Sequence, residues 1–191
     1  MNKLVVFDID GVLVDFEWQL VKTLGREFGE IGYYNRDKFR LEDRFKDYPQ
    51  ILARALELTA DPNFYYGLEP NEEALKFVKS LVEDGFPVMY VSSRPPSAEN
   101  FTRRWLLKNV FGQVDVHCGV VDKTDFLSDL KDSIGTIVED NPEQIENLKD
   151  AGFTVLCWGQ PWNEGIFPRV YVRKDGVLMY WYDESKEARE F

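Results

Sequence analysis

The sequence predicts an α/β protein: a three-layer, doubly wound, Rossmann-like parallel sheet with a small helical cap inserted after the first strand and a β-hairpin near the C-terminus. Three observations predict it. Short apolar runs recur along the chain, as strands buried on both faces require. Helical patterns separate these runs, which is the mark of a parallel sheet covered on both sides. Between Phe16 and Pro70 the alternation stops, and only helical patterns remain.

Leu4-Val5-Val6-Phe7 opens the series and stops at an acidic, glycine-containing stretch. Similar runs stand at Pro87–Val91, Val114–Cys118, Ile134–Val138 and Phe153–Cys157. From Glu72 to Glu83, the residues Ala74, Leu75, Val78, Leu81 and Val82 share one helical face, and Gly85 supplies a stop. Asn141 and Pro142 open another helix as capping residue and first-turn proline, and Gly152 closes it. The insert predicts helices over about 17–29, 37–46 and 50–58. Residues 1–15 and 71–191 then form the core domain and 16–70 the cap. A cap in that place sits over the carboxyl edge of the sheet, where ligands of such folds bind. After Cys157, Pro161, Gly165 and Pro168 mark a loop. Arg169–Arg173 and Val177–Tyr180 then read as a hairpin turning at Asp175-Gly176. Asp183 to Phe191 is charged and reads as a solvated tail or short helix.

Composition narrows the function. In 191 residues, 44% are apolar and 15% aromatic, enough for a sizeable core and too many for disorder. No apolar run approaches the ~20 residues that span a bilayer. Lys3 is followed by Asp8 and Asp10 where a secretory signal would be apolar, so no such signal is expected. Cys118 and Cys157 lie in apolar segments and read as reduced thiols of a cytoplasmic protein. A net charge of −11 argues against an extended nucleic-acid footprint, although a local site can still hold a small anion. Trp181 and Tyr182 on the hairpin can pack on the core or on a second copy, so a homodimer stays open.

The chemistry concentrates at strand ends. In Val6-Phe7-Asp8-Ile9-Asp10-Gly11-Val12, two carboxylates leave the sheet edge together. Asp8 can act as a nucleophile and offer an oxygen to a hard cation, and Asp10 can exchange a proton with a leaving or attacking oxygen. Gly11 lets the chain turn sharply and present backbone groups to a substrate. After Val91, the stretch Ser92-Ser93-Arg94-Pro95 offers hydroxyls, N–H groups and a guanidinium that can cradle an anion, although a plain turn looks similar. Lys123 stands just before a helical pattern, where a lysine is ordinarily solvated. Glu139-Asp140 follow Val138, and Asn141 caps the next helix. These carboxylates would repel Asp8 and Asp10 unless a cation intervenes. Oxygen-only ligands suit Mg²⁺, and lone His117, read as a packed core residue, gives no soft-metal site.

Taken in order, the acidic pair, hydroxyl, lysine and second acidic pair resemble the haloacid dehalogenase-like superfamily, in its Mg²⁺-dependent phosphatase branch. The resemblance covers about residues 3–158. It implies that Asp8 forms an aspartyl-phosphate, that Asp10 is the general acid and base, and that the Asp10 carbonyl ligates Mg²⁺. It further implies that Ser92, or adjacent Ser93, holds the phosphoryl oxygens and that Lys123 neutralises charge. Asp140 becomes the direct metal ligand and Glu139, where the family more often has Asp, the outer one.

Within that superfamily the chain most resembles the 5′(3′)-deoxyribonucleotidases. Asp-Gly-Val-Leu-Val-Asp-Phe-Glu (10–17), Asp122-Lys123-Thr124 and Gln160-Pro161-Trp162-Asn163 carry the likeness. The implied substrate is a small phosphorylated molecule, a nucleotide; independently of the resemblance, the residues themselves offer the Arg94 guanidinium for its phosphate and the Trp18 ring for its base. The rings of Phe16, Trp18, Phe64, Tyr65 and Tyr66 could stack a base, or they could simply join insert to core. Ser92-Ser93-Arg94 looks more like polynucleotide 3′-phosphatases, which keeps that enzyme as an alternative. A non-catalytic binding module of the same fold is another.

Overall fold

Leu4–Phe7 form strand β1, whose Val5, Val6 and Phe7 are buried because both faces of the strand are covered. The computed structural model describes residues 2–29, 35–110, 112–172, 178–181 and 189–190. In it β1 lies between β2 (Val88–Ser92) and β4 (Ile134–Glu139), both parallel to it. β3 (Val116–Cys118) adds outside β2, and β5 (Val155–Trp158) outside β4. β6 (Arg169–Val172) continues in parallel, followed by antiparallel β7 (Leu178–Trp181) and β8 (Arg189–Glu190). The described strands thus form one sheet in the order β3-β2-β1-β4-β5-β6-β7-β8.

Apolar side chains cover both faces of this sheet. Ala74 and Val78 of α5 (Glu72–Glu83) and Trp105 and Leu106 of α6 (Glu99–Asn109) fill one side. Leu127 of α7 (Lys123–Leu127), with Ile145 and Leu148 of α8 (Pro142–Asp150), fills the other. Each of the buried valine, leucine and isoleucine side chains contributes ~1.5–3 kcal/mol by leaving water. Asn71 and Asn141 cap α5 and α8 through their side chains, as their positions before helical patterns imply.

The segment after β1 is helical. It contains α1 (Phe16–Phe28), α2 (Leu41–Arg44), α3 (Pro49–Ala60) and α4 (Pro62–Tyr66). The second expected helix, 37–46, shrinks to a single turn, and α4 is additional: Asp61 caps it and Pro62 fixes its first residue. Leu20, Leu24, Phe45, Ala55 and Leu58 give these helices a small core of their own. The chain enters and leaves them side by side. The Asn71 backbone N–H donates to Leu13 O at 2.7 Å, its side chain donates to Val12 O at 3.2 Å, and Val14 bridges Pro70.

Two further expectations change. His117 is not a core residue: β3 is an edge strand, so the ring is half-exposed, bonded to Asp115 at 3.0 Å and set against Phe126. Arg189–Glu190 pair with β7 instead of forming a tail or helix. The hairpin pairing of β6 with β7 is present, but its turn at Asp175-Gly176 lies outside the described residues, as does 183–188. Cys118 is half-buried and Cys157 buried, both as free thiols. Among the described residues, no helix is long and apolar enough to cross a membrane.

Candidate active site

Parallel strands end on one edge, and adjacent strands bring their ends together. Asp8 follows β1 directly, its N–H bonded to Val138 O of neighbouring β4 at 2.9 Å. Glu139 closes β4 and Asp140 comes next. Lys123 is the first residue of α7, whose cap is Asp122, and its N–H reaches the Gln144 side chain at 3.3 Å. All four side chains are almost fully buried. The Lys123 ammonium touches both the Asp8 and Glu139 carboxylates. It is therefore not the solvated lysine that its sequence context suggests.

Backbone groups fix the acidic pair. Glu139 Oε1 accepts the N–H groups of Asp140 (3.1 Å) and Asn141 (3.0 Å). The Asp140 carbonyl accepts from Asn163 Nδ2 (2.8 Å) and Trp162 Nε1 (3.2 Å). Gln160 Nε2 donates to Gly11 O at 2.6 Å, so the 160–163 loop braces two sides of the cluster. Gly11 has φ +85°, and a Cβ there would fall 2.0 Å from Asp140 Oδ2. Its lack of a side chain makes room for the Asp140 carboxylate; this steric role was not visible in the sequence.

Ligand oxygens of Asp8, Glu139 and Asp140 lie within 4.8 Å of one another. The bonds just described leave over Asp8 Oδ2 and the Asp140 carboxylate. Burial pushes the Asp8 carboxyl up to about 7; Lys123 opposes the shift, while Glu139 and Asp10 add to it. Asp140 is raised well above the usual carboxylate range, first by burial and then by Asp8 and Glu139. Burial alone would lower Lys123, but Asp8 and Glu139 outweigh it and hold the ammonium charged. The donor chemistry fits a hard divalent cation, which would neutralise what Lys123 leaves uncompensated.

The other expected site residues divide. Asp10 is beside the cleft, with both oxygens engaged by Arg94 at 2.6 and 2.8 Å. The Arg94 side chain is fully buried, with Nε and Nη2 on Asp10, and it borders the cleft. Ser92 is buried and its Oγ accepts the Arg94 N–H at 3.1 Å, whereas Ser93 lines the cleft. Trp18 stands apart from the cleft. Asp15 caps α1 by accepting the Trp18 N–H, and this sets the helix phase so that Phe16 faces the cleft. Trp18, two residues on, points elsewhere: it is 45% exposed, lies under Lys22 and does not line the cleft. Tyr65 belongs to the main core cluster, and Phe16 and Phe64 pack against that cluster and on Tyr65, so much of the aromatic patch joins the insert to the core.

The cleft over the carboxylates is about 700 Å³. Its roof includes Phe16, Glu17, Phe39 and Arg44, and Trp162 rises from the core side. Phe39 meets Trp162 edge-on at 6.2 Å, and the Arg44 guanidinium lies 5.0 Å from the same ring. Buried Glu17 is within ion-pair distance of Arg44 (3.3 Å). Arg40 reaches Glu143 of α8 at 2.8 Å, tying roof to floor. The sequence alone does not single out Phe39 or Arg44, because each meets Trp162 from a distant part of the chain.

A family model described as 5′ nucleotidase, deoxy (pyrimidine), cytosolic type C protein (NT5C) matches residues 2–175. A Chlorobaculum tepidum protein provisionally named a 5′(3′)-deoxyribonucleotidase is 24% identical over 187 residues, spanning 86% of this chain and 83% of that protein. A Bacillus cereus protein provisionally named a nucleotidase is 22% identical over 176 residues, spanning 86% and 90%. Solved structures share the fold. CbbY from Rhodobacter sphaeroides, crystallised with phosphate, superposes with a TM-score of 0.56 at 13% identity, covering 88% of this chain and 93% of that one. A haloacid dehalogenase-like hydrolase from Streptococcus pneumoniae gives 0.54 at 14% identity, covering 83% and 85%.

Proposed function

The chain belongs to the NT5C family and is a phosphatase of the nucleotidase kind; on that premise we propose that it hydrolyses nucleoside monophosphates, with Mg²⁺, through an aspartyl-phosphate on Asp8. One observation carries the reading: Asp8, Lys123, Glu139 and Asp140 converge beneath a cleft of about 700 Å³, within the ~300–1,000 Å³ usual for small-molecule sites. The relatives named for nucleotidase activity support the substrate class. Residues 16–70 act as a cap over a core of 1–15 and 71–191. The family's description as cytosolic supports a cytoplasmic location.

Asp8 attacks the phosphorus and the ester oxygen departs as the nucleoside hydroxyl, taking its proton from Asp10. Asp10 then accepts a proton from the water that cleaves the aspartyl-phosphate. Lys123 offsets the negative charge that otherwise keeps a phosphate dianion away from Asp8. Ser93, or Ser92 after rotation, holds a phosphoryl oxygen. Asp8, Asp140 and the Asp10 carbonyl would hold Mg²⁺, with Glu139 acting through water. The cation supplies further charge neutralisation at the carboxylate and phosphoryl oxygens.

Phosphate release from a panel of deoxyribonucleoside 5′- and 3′-monophosphates, sugar phosphates and a 3′-phosphorylated oligonucleotide tests the proposal. We expect nucleotides to lead, turnover to stop in EDTA, and Asp8→Asn to lose at least roughly 10⁴-fold while staying folded. Substantial turnover by Asp8→Asn removes the covalent route. Preference for the oligonucleotide moves the enzyme to the polynucleotide 3′-phosphatases, and absence of metal-dependent turnover favours a binding module.

A further inference from the structure

Arg94 uses every nitrogen of its guanidinium. Nε and Nη2 grip the two oxygens of Asp10 at 2.8 and 2.6 Å, and Nη1 donates to Thr102 Oγ1 of α6 at 3.0 Å. The face of the group lies 4.5 Å from the Tyr65 ring of α4. Tyr65 is itself buried, and its hydroxyl donates to Thr59 O at 2.6 Å. The arginine side chain is fully buried although it borders the cleft, whereas 24% of the Asp10 side chain is exposed. A two-point grip fixes the rotation of a carboxylate in a way that a single hydrogen bond or an ammonium cannot.

We propose that Arg94 is a positioning residue for proton transfer: it orients the Asp10 carboxyl toward the leaving oxygen, and Tyr65 makes that orientation depend on the seating of the helical roof. The inference rests on the role of Asp10 proposed above. It assigns Arg94 to the acid and not to the phosphate. Orientation sets how well a proton is delivered, so its loss harms poor leaving groups more than good ones. A nucleoside alkoxide needs the proton; p-nitrophenolate departs without it.

The experiment compares kcat/KM for a deoxyribonucleoside 5′-monophosphate and for p-nitrophenyl phosphate in wild type, Asp10→Asn, Arg94→Gln and Arg94→Lys. This ratio covers only the steps through leaving-group departure. Arg94→Gln should lose roughly 10–100-fold on the nucleotide and under about threefold on p-nitrophenyl phosphate, a fraction of the general-acid effect. Arg94→Lys, which keeps the charge but not the grip, should show the same split to a lesser extent. It decides the matter if thermal melts show that Arg94→Gln does not fold. If Asp10→Asn itself shows no split, the role proposed for Asp10 fails. If Asp10→Asn shows the split and neither Arg94 variant does, this inference is overturned. An equal rise in KM for both substrates also overturns it, since Arg94 would then bind the phosphate.

Discussion

Lys123 on the floor of the cleft is 3% exposed and touches two buried carboxylates, whereas Arg40 on the roof pairs with Glu143, and both of those side chains are about two-thirds exposed. The energetic scale of the two differs. Removing a partner from a buried charge cluster costs about 3–5 kcal/mol, because the remaining charge is stranded. An exposed ion pair contributes at most ~1 kcal/mol. The floor hangs on sheet hydrogen bonds and on backbone groups such as the N–H groups of Asp140 and Asn141. At the mouth of the cleft the roof meets the core through side chains, Phe39 against Trp162 and Arg40 against Glu143. Under the proposed mechanism, chemistry is seated in the half held by backbone bonds and substrate choice in the half whose exposed contacts shift at small cost.

The comparison breaks most sharply at Gly11. An alanine there has a strained positive φ and a Cβ that must displace the Asp140 carboxylate, now 2.0 Å away. We expect Gly11→Ala to lower kcat roughly 10²-fold on every substrate alike, the cost of an ångström-scale misplacement. We also expect Mg²⁺ to raise the melting temperature of the wild type, and Gly11→Ala to blunt that rise. Phosphate-release kinetics and thermal melts with and without Mg²⁺ measure both. A kcat within twofold of wild type would mean that the Asp140 seat is not set by Gly11.

The floor was legible in the sequence because each of its parts is local. A buried run such as Leu4–Phe7 ends at a fixed edge, and Asp8, Lys123, Glu139 and Asp140 are named by their position after such runs or at a capped helix start. Helices with both caps written out, 72–83 and 142–150, could be read in the same way. What was not legible depends on pairings across the chain. Arg94 and Asp10 are 84 residues apart, and their grip follows only once β2 and β1 are known to be neighbours. His117 was misjudged because nothing in its own segment says that β3 is an edge. The helix α4 did carry a local signal, Asp61-Pro62, within a stretch read chiefly for its aromatic rings.

A smaller effect sharpens the roof. Phe39 lines the cleft and meets Trp162 edge-on. Stacking on an aromatic face is worth ~1–3 kcal/mol per base. Phe39→Ala should therefore raise the KM for a nucleotide roughly five- to tenfold and leave p-nitrophenyl phosphate nearly untouched. Steady-state kinetics on the two substrates separates this from a defect in the floor, which would depress both.

The smallest effect is expected at Trp18, the ring that the sequence places nearest to a base-binding role. Its exposure follows from helix phase: the Asp15 cap turns Phe16 inward, and Trp18 is carried to a surface where its visible partner is Lys22. An exposed cation–π contact is worth about 0.5–1 kcal/mol. Trp18→Ala should lower stability by about that much in a urea melt, while nucleotide KM stays within about twofold of wild type. Were the KM to rise as far as in Phe39→Ala, α1 would have to turn during substrate binding and bring this ring into the cleft. The division between a fixed floor and an adjustable roof would then run through α1 itself, with Phe16 and Trp18 exchanging places.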